Sequence, residues 1–212
     1  RTNEVIDLYS WTTPNGRKAS IMLEEVELPY TVHPIDINKD EQFAPAFLKI
    51  SPNNRIPAIV DRDNGLSLME SGAILIYLAE KFGKFLPKDA RKRYDTLQWL
   101  IFQMAHVGPM FGQANHFNNY AKDKQGLEYA KDRYNNESVR LYRVMDNRLK
   151  DCAWIAGDEY SIADMAIYPW AKGHKDRGVD KAGYPNFMRW FEAMEARPAV
   201  QRNNRMAAEI RE

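Results

Sequence analysis

Two short stretches of this 212-residue chain carry chemistry in their residue types and spacing. One is Ile56-Pro57 within SPNNRIPAIVD; the other is Glu70-Ser71-Gly72 at the mouth of an apolar helical run. Proline has no backbone N–H, and X–Pro is the one peptide bond with a cheap cis form. A proline just ahead of a strand can therefore hold the N–H and C=O of its neighbour facing outward, where a peptide could pair as an extra strand. Glu70 and Ser71 at a helix start add side-chain oxygens and open N–H groups, which suit an ammonium and a carboxylate. Main-chain pairing on one side and an amino-acid head group on the other describe a small-peptide site. The plainer reading of Glu70 is a first-turn acid complementing the helix dipole.

These residues need elements to position them. Val5 to Tyr9 reads as a short buried strand, followed by a turn at Thr12-Thr13-Pro14-Asn15-Gly16 with Thr and Asn as helix caps. Arg17 to Val26 has helical periodicity, Tyr30 to Ile37 reads as a second strand, and a short helix is expected from Pro45 to Ile50, ending before Pro52. Pro57–Asp61 and Ser67–Met69 read as two strands of a hairpin, joined through Asn64-Gly65. Glu70 to Phe82 is amphipathic, with Ile74, Leu75, Leu78 and Phe82 on one face. After GKFLPK, a stretch punctuated by Gly83 and Pro87, strand signals vanish. Helical spacing runs over 91–113, 128–149, 161–172 and 187–196, with glycines interrupting helix in Gly108–Phe117. Ser161 and Asp164 form a variant capping box, a structural device, with Tyr160 and Met165 placed for a hydrophobic staple.

Composition bounds the function classes. Forty-four per cent hydrophobic residues suffice for an ordinary core. A net charge of +1, with acids and bases interspersed, supplies no steering field for nucleic acid or an anionic membrane. No apolar run reaches the roughly 20 residues that span a bilayer. RTNEVIDLYS lacks the apolar segment of a secretory signal. The single cysteine, Cys152, excludes an internal disulfide and CxxC chemistry and suits a cytoplasmic setting. It is expected to be buried as a small apolar residue. His33, His106, His116 and His174 show no metal-ligand spacing, so no metal is expected.

The Pro57 step, ESGAI, the first strand with its TTPNG turn, and SIADMAIYPW together resemble the cytosolic glutathione transferases. TTPNG, SPNNRIPAIVD and GPMFGQANHF look most like the bacterial Nu class, which is similar to the yeast nitrogen-regulator domain and to bacterial disulfide-bond reductases. The resemblance covers nearly the whole chain. It implies an α/β N-terminal thioredoxin-like domain over residues 4–83 (βαβαββα, mixed sheet), a linker at 84–90 and an all-α domain over 91–212.

The family works by stabilising the thiolate of bound glutathione. A free thiol with a pKa near 8.5 is only a few per cent ionised at neutral pH, and a hydroxyl donor lowers that value. The resemblance places Thr13 and Asn15 at the sulfur, although Thr13 could merely cap the helix. Tyr9 stands where other classes carry a catalytic tyrosine, but strand alternation turns it toward the core. Ile56 is implied to pair with the cysteinyl unit, Glu70 to hold the γ-glutamyl ammonium, and Ser71 its carboxylate. Gln42 is implied at the glycyl end, and Arg133, in Asp132-Arg133-Tyr134, at a glutathione carboxylate. Arg133 could equally form a surface ion pair with Glu137. Lys18 and Arg55 are weaker electrostatic candidates.

Nu-class resemblance implies two glutathione molecules, or oxidised glutathione, in one cleft and reduction of small disulfides by a cytoplasmic homodimer, with no nucleic-acid or membrane partner. Two alternatives stand beside it. One is a conventional transferase acting on electrophilic apolar substrates, with Trp11, Phe111 and Phe117 as a pocket. The other is a non-catalytic glutathione-binding regulator.

Overall fold

The computed structural model describes residues 5–209, with side chains to residue 204. The chain divides into two compact units: residues up to Leu86 together with those from Glu195 onward, and Pro87–Met194.

The first unit is built on a four-stranded mixed sheet, order β2-β1-β3-β4, from β1 (Ile6–Ser10), β2 (Tyr30–Pro34), β3 (Ala58–Asp61) and β4 (Leu66–Met69). β1 and β2 are parallel, joined by α1 (Pro14–Glu25); β3 runs antiparallel to both β1 and β4. Two 3₁₀ turns, Ile37–Lys39 and Glu41–Phe43, and the short α2 (Pro45–Leu48) connect β2 to β3, and α3 (Ser71–Phe82) follows β4. This is the expected βαβαββα order on a mixed sheet.

Some boundaries differ from the sequence reading for local reasons. α1 begins at Pro14 rather than Arg17, because Thr13 is its N-cap and proline is tolerated at the first helical position. β2 stops at Pro34 rather than Ile37: proline offers no N–H to a ladder, and Asp36 caps the following turn through Asn38 N at 2.9 Å. Tyr9 does not enter the core. Ile6 and Leu8 point there, whereas Tyr9 shares the other face with Asp7 and stacks on His33 at 4.6 Å. The placement of the C-terminal segment, from Val200 onward, is not readable from the sequence. That segment forms α9 (Pro198–Glu209), which follows α8 (Pro185–Glu195) and packs on α1, with Arg202 paired to Glu24 and Arg197 to Glu25. Residues 210–212, the end of that segment, lie outside the described residues.

The second unit is helical. α4 (Ala90–Phe102) is capped by Asp89 and continues through a π-turn at Gln103–Val107 into α5 (Gly108–Asn115), then through a second π-turn at His116–Tyr120. Glycines were expected to interrupt helix here and do not. A Cβ at Gly112 would meet the Trp170 ring at 3.3 Å, and one at Gly108 would meet Gln103 Nε2 at 2.8 Å. The two glycines form a notch for an indole. α6 (Glu128–Leu149) and α7 (Ile162–Ala171) follow, then α8. The Ser161–Asp164 capping box is present, and the buried Asp164 also accepts from Ile155 N at 2.9 Å and Trp190 Nε1 at 2.8 Å. Tyr160 packs edge-on against Trp154, centroids 5.0 Å apart. No helix among the described residues is long and apolar enough to cross a membrane.

Candidate functional site

Sheet register brings four separate segments to one end of the first unit. Tyr9 at the close of β1 pairs with Ala58 at the head of β3, which pairs with Met69 at the close of β4. On the other side, Ser10 pairs with Pro34 at the close of β2. Adjacent strands lie about 4.8 Å apart, so the span from Tyr9 to Met69 is about 10 Å. Thr13 and Asn15 follow β1, Gln42 follows β2, Ile56 precedes β3 and Glu70-Ser71 follow β4. Six predicted site residues therefore share one edge because the strand directions require it.

Thr13 sits in extended conformation and its hydroxyl accepts from Gly16 N at 3.2 Å. A hydroxyl has two lone pairs and one proton, so accepting at the cap leaves the O–H able to donate elsewhere. The capping and donating readings are thus compatible. Asn15 is the second residue of α1, half-buried like Thr13. Gly16 is required for this turn. A Cβ there would lie 2.2 Å from the Trp11 carbonyl oxygen and 2.4 Å from Ser10 Oγ. Tyr9, the alternative donor, has its phenol pushed up chiefly by burial, the wrong direction for a ready anion stabiliser.

The Ile56–Pro57 peptide is cis, Pro57 is buried, and the Ile56 N–H and C=O have no hydrogen-bond partner among the described residues. Ser51 Oγ donates to the Arg55 carbonyl at 2.8 Å and ties the loop leading into it. Arg55 itself is exposed. Gln42 is buried, and its Oε1 has no donor among the described residues. An orphaned buried amide oxygen costs about 1–3 kcal/mol, which a ligand N–H would relieve.

Glu70 is the N-cap residue of α3 with φ 70° and ψ 114°, exposed, and without a side-chain capping bond. A non-glycine residue held at positive φ costs about 1–3 kcal/mol and is retained where its placement is used. Dipole complementation alone would not need that backbone. Ser71 beside it is buried, and its Oγ accepts from Lys18 Nζ at 3.4 Å. Lys18 is only 2% exposed, and burial pulls its ammonium down to about 7, with the Glu70 charge opposing. Sequence reasoning ranked this lysine among the weaker candidates. The available signal was its helix face, since Lys18 lies three and four residues before the buried Ile21 and Met22.

The second unit holds the remaining candidates. Arg133 is exposed on α6. The ion pair weighed for it is made by another residue: Arg140 holds Glu137 at 2.8 Å, and Arg133 adds only a weaker charge effect. Phe111 is fully buried, stacked on Tyr142 at 4.8 Å and capped by the Arg177 guanidinium at 4.7 Å, so it is core and not a substrate wall. Phe117 stacks on Tyr134 at 5.6 Å. Cys152 is half-buried rather than buried; its thiol donates to the Arg148 carbonyl at 3.2 Å and is pushed up by desolvation, unlike a reactive thiolate. Among the described residues no group of three or more His, Cys, Asp or Glu is placed to hold a metal.

The chain is similar to known proteins over most of its length. Residues 4–80 match the family model for the glutathione S-transferase N-terminal domain, and residues 99–198 that for the C-terminal domain. The chain is 50% identical over 201 residues to the Escherichia coli disulfide-bond oxidoreductase YfcG, covering 92% of this chain and 93% of that protein. A crystal structure of a Pseudomonas fluorescens glutathione transferase family member, with two glutathione bound, superimposes with TM-score 0.88 at 44% identity over 94% of this chain and 92% of its own. A Pseudomonas putida glutathione transferase, with one glutathione disulfide bound per subunit, matches with TM-score 0.88 at 45% identity, covering 94% and 90%.

Proposed function

The chain belongs to the glutathione S-transferase family, and we propose that it is a glutathione-dependent disulfide-bond reductase and transferase whose sulfur site is Thr13 and Asn15. The first unit carries no cysteine, so the reacting sulfur comes with the ligand. The observation that carries this reading is the convergence, on one sheet end, of a hydroxyl that caps α1, a Glu70 held at positive φ and, among the described residues, an unpaired Ile56 main chain and a Gln42 oxygen without a donor.

Ile56 N–H and C=O pair with the cysteinyl unit of glutathione, as an added strand would. Glu70 takes the γ-glutamyl ammonium, and Ser71 with the α3 N-terminus takes the neighbouring carboxylate. Gln42 Oε1 accepts from the glycyl end. This arrangement leaves the sulfur by the Thr13 hydroxyl and the Asn15 amide, where hydrogen bonds to the anion lower the thiol pKa. The thiolate attacks a small disulfide, forming a mixed disulfide and expelling one thiolate. A second glutathione thiolate then attacks the mixed disulfide at the glutathione sulfur, giving oxidised glutathione and the second thiolate. Two glutathione thiols are oxidised to one disulfide as one substrate disulfide is reduced to two thiols. The same reading carries a cytoplasmic homodimer acting on small thiols and disulfides.

The test measures binding of reduced and oxidised glutathione by calorimetry, and turnover on hydroxyethyl disulfide and on a chlorinated aromatic. Binding of both redox forms with faster turnover on the disulfide is expected. Faster turnover on the aromatic would make the chain a conventional transferase, and binding without turnover on either would make it a non-catalytic binder.

A further inference from the structure

Lys18 has no task in the chemistry above, and its placement is costly. An ammonium buried beside the fully buried Ile21 and Met22 gives up hydration, and that desolvation is the largest influence on it; its Nζ donates to Ser71 Oγ at 3.4 Å. For stability alone, an apolar side chain of similar volume would serve as well or better. We propose that Lys18 is a positioning and specificity residue for the γ-glutamyl carboxylate of the ligand, supplying the positive charge behind the Ser71 hydroxyl. This rests on glutathione being the ligand. Ser71 and the amides opening α3 touch the carboxylate, Lys18 biases that seat toward an anion, and Glu70 takes the adjacent ammonium. The selected ligand is thus a peptide whose end carries a free carboxylate beside a free ammonium.

The charged surroundings leave that role to Lys18. α1 packs against α3, α9 and β1. On α3, Glu70 raises the Lys18 value, while Glu80 and Lys81 lie about 13 Å or more along the axis. From the α9 side, Arg197 and Arg202 pair with Glu25 and Glu24 on the last turn of α1, and Arg17 donates to Asn204 Oδ1 at 3.3 Å. On β1, Asp7 is held by Arg62 and His33. Because burial brings Lys18 to about 7, it is partly neutral at neutral pH, and an arriving carboxylate favours its charged form. Binding should then take up about 0.5 proton at pH 7.

The experiment titrates the wild type, Lys18→Met and Lys18→Arg by calorimetry in two buffers of different ionisation enthalpy. The probes are glutathione and the analogue in which γ-aminobutyrate replaces the γ-glutamyl residue, removing only the carboxylate. Lys18→Met should bind glutathione at least about tenfold more weakly, bind the analogue within about twofold of wild type, take up no proton, and melt at the same or a higher temperature. Lys18→Arg should recover affinity without proton uptake, because arginine stays charged. Equal losses for both ligands, or unchanged glutathione affinity, would overturn the proposal. Should Lys18→Met fail to fold, wild type decides: glutathione binding without proton uptake, or no discrimination against the analogue, refutes the role. A wild type that binds neither peptide refutes the glutathione reading itself, which is a separable outcome.

Discussion

Removing the Thr13 hydroxyl separates two jobs of one oxygen, the cap seen on α1 and the donation to sulfur proposed above. Thr13→Ala deletes the cap on Gly16 N, which costs about 1 kcal/mol of stability. It also deletes the O–H proposed to donate to the bound thiolate. A hydrogen bond to a charged group is worth about 1.5–3 kcal/mol, and one pKa unit corresponds to about 1.4 kcal/mol, so the bound glutathione thiol should rise by about 1–2 units. Below both values the thiolate fraction falls about 10- to 100-fold. Nucleophilicity rises with basicity by a Brønsted coefficient of about 0.45, so the net loss in disulfide attack is about 4- to 12-fold. The loss should vanish at alkaline pH, where both thiols are ionised. Thr13→Ser should restore the cap and the donor together. The assay is the pH titration of thiolate ultraviolet absorbance on the enzyme, run beside denaturant unfolding. A Thr13→Ala variant that loses about 1 kcal/mol of stability while its bound thiol titrates unchanged would reduce Thr13 to a cap.

Two further outcomes are expected. Gly16→Ala reverses the usual sign: alanine normally gains about 1 kcal/mol inside a helix, but here its Cβ meets Trp11 O at 2.2 Å, so denaturant unfolding should show a loss of about 1–3 kcal/mol and turnover should drop; a stabilised, fully active variant would refute the close approach. Asp7 is held below the usual carboxylate range, first by its Arg62 hydrogen bond, so its contribution is complete above the unfolded value of about 3.9 and is lost as pH falls through the lower native value; Asp7→Asn should therefore destabilise at pH 7 and make little difference at pH 2, and a penalty independent of pH would contradict the assignment.

Much of the first unit was legible because its signals are local. Asn64-Gly65 marks the hairpin, and Glu70-Ser71 the start of α3. What escaped depends on partners distant in sequence. Gly108 and Gly112 read as helix breakers because nothing nearby announces Trp170, the ring they accommodate. Phe111 read as a pocket wall because its burial comes from Tyr142 and Arg177, on later elements. α9 was missed because its apolar and cationic faces acquire meaning only against α1, through Glu24 and Glu25. Lys18 was underweighted because a lysine is read as solvated by default, although its helix face said otherwise.

Where the chain accepts unfavourable local energies also bears on function. Asp164 is buried, and its carboxylate accepts from Ile155 N, Ser161 N and Trp190 Nε1. Asp146 accepts from both Asn186 N and Phe187 N at the head of α8. Those carboxylates hold the scaffold, and their hydrogen bonds compensate their burial. At the sheet end that carries Thr13 the pattern differs: Gln42 Oε1 has no donor among the described residues, Glu70 sits at positive φ, and Lys18 is buried with its ammonium pulled down chiefly by desolvation. Each costs on the order of 1–3 kcal/mol in a molecule whose whole stability is about 5–15 kcal/mol. Three such costs, contributed by three different segments, would have a common remedy in a ligand that brings an N–H, an ammonium and a carboxylate. A γ-glutamyl peptide carries those three groups, so on the proposed reading the unfavourable terms of the fold and the recognition groups of the ligand are two sides of the same arrangement.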